Sequence, residues 1–348
     1  MDREQRQTLN VNFMHNSKGI HMKNSLTGSG PARRTFLAAG AARAGAALAG
    51  PLRANPPAVK GKAVWRDMDQ AALDKAYDQA AWAPNIETLI ARCETNTEVA
   101  RRRIGAPRKI AYGPGAYETL ELTAAKPQGA PVHIFIHGGA WRGSSAAQWG
   151  FMAENFVAHG MHYVAPDFIN VLQAGGSLVP MAQQVKQSIA WVYRNAKSFG
   201  GDPQRIYLSA HSSGAHLAGV ALTTDWEAEF GLPGNIVKGA VLVSGLYDLK
   251  PVRLSSRSSY VAFDDAVEEA LSPQRHLKRL QTPLVLVHGM LETPEFIRQT
   301  RDFGAAVARA GHAVEVISGP EYNHIEIVET LGNPFGLAGQ AALKQALG

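Results

Sequence analysis

Six short apolar runs, most of them followed by a stretch of helical character, dominate the sequence after residue 130. The runs fall at 132–136, 163–166, 206–209, 240–243, 284–287 and 313–317; the helical stretches at 146–159, 181–197, 214–223, 294–310 and 337–347. A run of four or five apolar residues without polar alternation reads as a strand covered on both faces, and helix-length connections let successive strands pair in parallel. The expected class is α/β: a mostly parallel sheet with helices on both faces. Upstream, 68–82 mixes apolar and charged residues at helical spacing, and 109–122 reads as two extended pieces around Gly113-Pro114-Gly115, giving a helical arm and then edge strands. The serine- and charge-rich stretch 254–276 interrupts the alternation and is expected as an insertion that caps a site. No internal repeat is visible.

The first 57 residues have a different character and are expected to form an N-terminal tail ahead of one domain at 58–348. Paired Arg33 and Arg34 precede Thr35-Phe36-Leu37 and an alanine- and glycine-rich run ending near Gly50, the order of a twin-arginine export signal with cleavage between Ala47 and Ala54. The expected location is periplasmic or secreted. Arg43, a charge inside the apolar run, keeps a cytoplasmic protein with a loosely ordered tail as the alternative. Cys93 is the only cysteine, which excludes an intrachain disulfide, and no Cys/His cluster has the spacing of a zinc site. No run reaches the roughly 18–20 apolar residues of a membrane-spanning helix, so stable insertion of the mature chain is not expected. The net charge of +6 is scattered or sits in the tail, and no nucleic-acid partner is expected.

Two of the apolar runs end in sequences that carry chemistry. The run at 206–209 leads into Ala210-His211-Ser212-Ser213-Gly214 and then a helical stretch, approximating G-x-S-x-G with Ala210 for the first glycine. A tight strand-to-helix turn of this kind holds a serine hydroxyl exposed above a sheet, and the register puts Ser212 at the turn. Ser213 is the neighbouring hydroxyl, expected to serve through its backbone N–H. The run at 132–136 leads into His137-Gly138-Gly139-Ala140-Trp141. Consecutive glycines let a backbone pass close to a reacting carbonyl and aim N–H groups at the charge that develops there, so Gly138 and Gly139 are the expected oxyanion donors with Ser213. His137 reads as a brace for this loop. Trp141 reads equally as a wall of the substrate pocket and as a core residue.

With these motifs in place, the chain resembles the kynurenine formamidase (arylformamidase) branch of the α/β-hydrolases and the related esterases that carry H-G-G-x-W. Further matching stretches are Ser244-Gly245-Leu246-Tyr247-Asp248-Leu249, Thr293-Pro294-Glu295-Phe296 and Asn323-His324-Ile325-Glu326-Ile327-Val328, in the family's order, across 112–331. The resemblance implies an α/β-hydrolase fold. It departs from the family at Ala210, at Glu292, where the formamidases usually have aspartate, and in the export signal.

In such folds the order along the chain is serine, carboxylate, histidine. His324 follows the last apolar run in a loop and suits a general base near neutral pH; His312 precedes that run and is the weaker rival. Glu292, just past 284–287, is the expected carboxylate orienting His324, and Asp248, one strand earlier, is the alternative. The implied chemistry is a cofactor-free and metal-free two-step acyl transfer on a small carboxylic ester or an aryl-formamide. N-formylkynurenine hydrolysis is the sharper form of this reading. An inactive α/β-hydrolase-fold binding domain is the reading of another class.

Overall fold

The computed structural model describes residues 61–348; the tail at 1–57 and its paired arginines lie outside the described residues. Eight strands form one sheet: β1 Arg108–Ala111, β2 Thr119–Thr123, β3 Ala130–Ile136, β4 His162–Pro166, β5 Gly201–His211, β6 Val237–Val243, β7 Leu284–Gly289 and β8 Val314–Gly319. Their order across the sheet is β1-β2-β4-β3-β5-β6-β7-β8. The pairs β1–β2 and β2–β4 are antiparallel and the other five are parallel. This is the α/β-hydrolase fold, and each apolar run identified in the sequence lies in or overlaps a strand from β3 to β8.

Alternation along each strand sends successive side chains to opposite faces, and the core divides accordingly. Leu242 of β6 and Leu286 of β7 join the cluster under the helices Val179–Asn195, Ser213–Leu222 and Pro294–Arg309. Val241, Val243, Val285 and Val287 join the cluster on the other face, under Ile86–Ile104, His324–Glu329 and Leu337–Leu347. The five central strands β3 to β7 are largely buried, whereas β8 is an edge strand whose Glu315 and Val316 are exposed.

The N-terminal arm differs from expectation. The helical segment expected over 68–82 is a single short helix, Gln70–Ala76, and the longer helix is Ile86–Ile104. That helix buries Leu89, Cys93, Thr97 and Ala100. Their spacing is helical, but two of the four are polar or small, so the stripe does not stand out as apolar. The helix expected over 146–159 is split into a 3-10 turn, Ala146–Trp149, and a helix, Met152–Ala158. The segment 254–276 folds as short turns around one helix, Asp265–Ala270, capped by Asp264. Among the described residues, no helix is long and apolar enough to cross a membrane.

Candidate active site

Strand β5 ends at His211, and the chain turns at Ser212 into the helix Ser213–Leu222. The Ser212 N–H still donates to Val243 O of β6 at 2.9 Å, so the sheet's hydrogen-bond ladder holds the turn. Ser212 itself has φ 56° and ψ −125°, outside the regions L-residues favour. Such strain persists only where the surroundings impose it. Gly214 shows how: a Cβ there would lie 2.2 Å from His137 O and 2.4 Å from Ile136 O. Only glycine lets the helix start so close to β3. Ala210, by contrast, is fully buried within β5, and its methyl group is accommodated.

His324 opens the helix His324–Glu329, whose start is fixed by a capping box between Asn323 and Glu326. His211 Nε2 bonds the carbonyl oxygen of His324 at 2.9 Å, tying this helix to the Ser212 turn. The imidazole Nε2 lies 2.8 Å from Ser212 Oγ and its Nδ1 lies 2.7 Å from Glu292 Oε2. The second carboxylate oxygen, Oε1, accepts from Ser244 Oγ at 2.5 Å and from the Gly289 N–H at 2.6 Å. All three residues are almost fully buried, and Phe296 packs edge-on against the imidazole at 4.8 Å. Ser244 stands in a stretch that matches the family, but the sequence assigned it no role; it has φ 52° at the end of β6 and donates its own N–H to Val287 O.

The alternatives left open by the sequence lie elsewhere. Asp248 caps the helix Leu249–Leu254 through Lys250 N and approaches Arg275 at 3.6 Å. Ser213 Oγ accepts the Trp141 N–H at 3.1 Å, which ties the glycine loop to the serine turn. His137 stacks on Phe168 at 4.4 Å and bonds Gly138 O at 2.9 Å; burial holds its pKa below the usual histidine range. Trp141 does not line the cavity. It is 1% exposed, and its indole N–H donates to His216 Nδ1 at 3.2 Å, so of its two readings the core one holds. Gly138 also falls behind the wall: the position of a Cβ there is 3.0 Å from both His211 O and Ser212 Cβ. Of the stretch His137 to Trp141, Gly139 and Ala140 face the cavity, both with positive φ. The cavity wall is thus made by Gly139 and Ala140, with Gly138, the other glycine expected from the sequence, packed beside Ser212 and His211.

Ser212 opens onto a cavity of about 1080 Å³. One wall is the loop from Gly139 to Ser144, another is Ser256 to Tyr260, and the third is the N-terminal arm, including Tyr77, Ala81, Ile86 and Ile90. The arm is anchored there by buried bonds from Tyr77 Oη to Glu295 Oε2 and from Gln299 Nε2 to Tyr77 Oη, both 2.9 Å. Its contribution to the cavity was not readable from sequence, since a wall made by distant segments has no local pattern. Among the described residues, no group of His, Cys, Asp and Glu is arranged to hold a metal.

Comparison with known proteins gives a consistent picture. The chain is 29% identical over 280 residues to a kynurenine formamidase of Danio rerio, covering 77% of this chain and 93% of the relative. It is 30% identical over 237 residues to esterase LipQ of Mycobacterium tuberculosis, covering 61% of this chain and 55% of that protein. Among solved structures, esterase LipW from Mycobacterium marinum superposes with a TM-score of 0.62 at 16% identity, covering 78% of this chain and 92% of that one. The apo form of Thermogutta terrifontis esterase 2 gives a TM-score of 0.55 at 24% identity, covering 70% and 93%. At these identities the superpositions speak for the fold. The family relatives are esterases and formamidases, so the chain is a hydrolase of the α/β-hydrolase type acting on small molecules. Since the BD-FAE family model matches residues 120–305, more than half of its length, the chain belongs to the BD-FAE family, in the kynurenine formamidase-like esterase branch of the α/β-hydrolases.

Proposed function

We propose that the protein is a serine hydrolase that cleaves small carboxylic esters or aryl-formamides through an acyl-enzyme on Ser212. The observation that carries this reading is the continuous hydrogen-bonded chain Ser212 Oγ to His324 Nε2, then His324 Nδ1 to Glu292 Oε2, at the floor of the cavity. Ser212 Oγ attacks the carbonyl carbon while His324 Nε2 takes its proton. The imidazolium that forms keeps its Nδ1–H on the Glu292 carboxylate, whose remaining oxygen is held by Ser244 and Gly289. The backbone N–H groups of Ser213, Gly139 and Ala140 are the proposed donors to the tetrahedral oxyanion. Collapse breaks the carbonyl–oxygen or carbonyl–nitrogen bond, and Nε2–H protonates the departing alcohol or arylamine. Water, deprotonated by Nε2, then releases the carboxylic acid, or formate from a formamide, and restores Ser212.

The sharper form, N-formylkynurenine hydrolysis, is supported by the relative from Danio rerio, whose length is matched almost throughout. Turnover of 4-nitrophenyl acetate and N-formylkynurenine, measured side by side with Ser212→Ala as control, tests both forms. Formylkynurenine turnover abolished by the substitution supports the sharper form. Ester turnover alone leaves a general esterase, and no turnover of either leaves a binding domain. We also propose export to the periplasm, supported by Arg33 and Arg34 ahead of the alanine- and glycine-rich run; unchanged cell fractionation of Arg33→Lys/Arg34→Lys would dismiss it.

A further inference from the structure

Arg257 sits in the 3-10 turn Ser256–Ser259 and lines the same cavity as Ser212, yet it is 6% exposed. A buried guanidinium ordinarily faces a carboxylate, because an unpaired buried charge is costly. Among the described residues, no carboxylate lies within ion-pair distance of Arg257. Its Nη1 donates to Tyr260 Oη and its Nη2 to Tyr77 O, both at 3.1 Å, and its Nε has no hydrogen-bond partner. That uses two of the five N–H donors a guanidinium carries. The charge is instead cushioned by aromatic faces: Cζ lies 5.5 Å from the Trp141 ring and 5.9 Å from those of Tyr77 and Phe296. Phe296 is also the ring packed against His324, so the cation is one side chain away from the reacting centre.

A second guanidinium converges on the same place. Arg142, in the glycine loop, lies over the Tyr260 ring at 4.8 Å, lines the cavity, and likewise has no carboxylate within ion-pair distance among the described residues. The two carboxylates on the cavity wall have other work. Asp74 Oδ1 accepts from Ser256 N and Gln70 Nε2, and Asp78 Oδ1 accepts from Ala80 N.

We infer that Arg257 and Arg142, on either side of Tyr260, form an anion subsite that selects ester or formamide substrates bearing a carboxylate. The inference rests on the reading of this cavity as the substrate site of a hydrolase. A substrate carboxylate supplies the acceptor that the chain withholds, and a bidentate guanidinium contact fixes the scissile carbonyl relative to Ser212.

The test uses two matched pairs: 3-acetoxybenzoate with its methyl ester, and the 4-nitrophenyl monoester of glutaric acid with its methyl ester, each followed by phenol release. For at least one pair the carboxylate is expected to have the higher kcat/KM, by about tenfold to a hundredfold, the value of a charge-assisted hydrogen bond. Arg257→Met and Arg142→Met should each pull that ratio towards one through KM, and Arg257→Lys should restore part of it. Arg142 is exposed, so its variant stays informative if Arg257→Met fails to fold. A preference for the neutral ester in both pairs, or a ratio untouched in Arg142→Met and Arg257→Lys, overturns the subsite. Calorimetry with 3-acetoxybenzoate and its methyl ester on the Ser212→Ala protein separates the two readings. Selective carboxylate binding without any hydrolysis by the unmodified protein leaves the subsite standing and removes the hydrolase reading. Hydrolysis with equal binding of both ligands does the reverse.

Discussion

Replacing Glu292 with glutamine tests the proposed mechanism through a single atom. The carboxylate is 1% exposed and accepts three hydrogen bonds, two on Oε1 from Ser244 Oγ and Gly289 N and one on Oε2 from His324 Nδ1. In Glu292→Gln the amide must choose which oxygen to replace. The Gly289 N–H can only donate, so the amide oxygen takes the Oε1 position and the NH₂ faces His324. That NH₂ donates to Nδ1 and moves the imidazole proton to Nε2, where it points at Ser212 Oγ and cannot accept the serine proton. Reaching the productive tautomer sets Nδ1–H against an amide N–H. This loses a charge-assisted bond worth about 1.5–3 kcal/mol and leaves a buried donor unsatisfied at about 1–3 kcal/mol. The sum, roughly 2.5–6 kcal/mol, is on the order of seventyfold to twenty-five-thousandfold in kcat. The assay is steady-state release of 4-nitrophenol near neutral pH, with circular dichroism to confirm folding. Asp248→Asn is the control: asparagine is as good a helix cap, so activity should stay within about twofold. Glu292→Gln within about tenfold of the unmodified protein, or an equal loss in Asp248→Asn, would refute the assignment.

Other expected outcomes follow from the same geometry. Ser244→Ala removes one of the two donors on Glu292 Oε1 and should lower kcat about tenfold with KM little changed, a split that steady-state kinetics resolves. Gly139→Ala places a Cβ 2.1 Å from Gly143 O at a residue with φ 114°, so the loop must shift; activity should fall by about a hundredfold or more, with native secondary structure retained. His216, pushed down to about 4 by burial, takes the Trp141 N–H on Nδ1 and bonds Leu271 O through Nε2, so a second proton has no acceptor. The unfolded chain therefore binds the extra proton first. The stability held above the ordinary histidine pKa is lost as pH falls from there to about 4, by an amount on the order of 3 kcal/mol. His133, pushed down to about 3, acts in the same direction. Urea midpoints that stay flat between neutral pH and about 4.5, or a slope unchanged in His216→Gln, would count against this.

Much of the fold was legible because its information is local. Runs such as Val285-Leu286-Val287 and Val241-Leu242-Val243 can only be strands covered on both sides, and helices between them dictate parallel pairing. The serine turn was equally legible, since the tight geometry at Ser212 demands a glycine two residues on. The second helix of the arm, Ile86–Ile104, escaped notice because packing against Ala146–Trp149, Met152–Ala158 and His324–Glu329, rather than an apolar stripe of its own, stabilises it.

The sequence by itself determined the strands, the parallel architecture, and the candidate serine, histidine and carboxylates, because each leaves a local pattern of residue types. Tertiary structure alone decided between Glu292 and Asp248 as partner to His324, sent Trp141 into the core, and turned Ala140 rather than Gly138 towards the cavity. It also brought Tyr77 and Arg257, 180 residues apart, to one wall. Those outcomes depend on distances between elements remote in the chain, and a hydrogen bond or an unpaired charge exists only once both ends are in place.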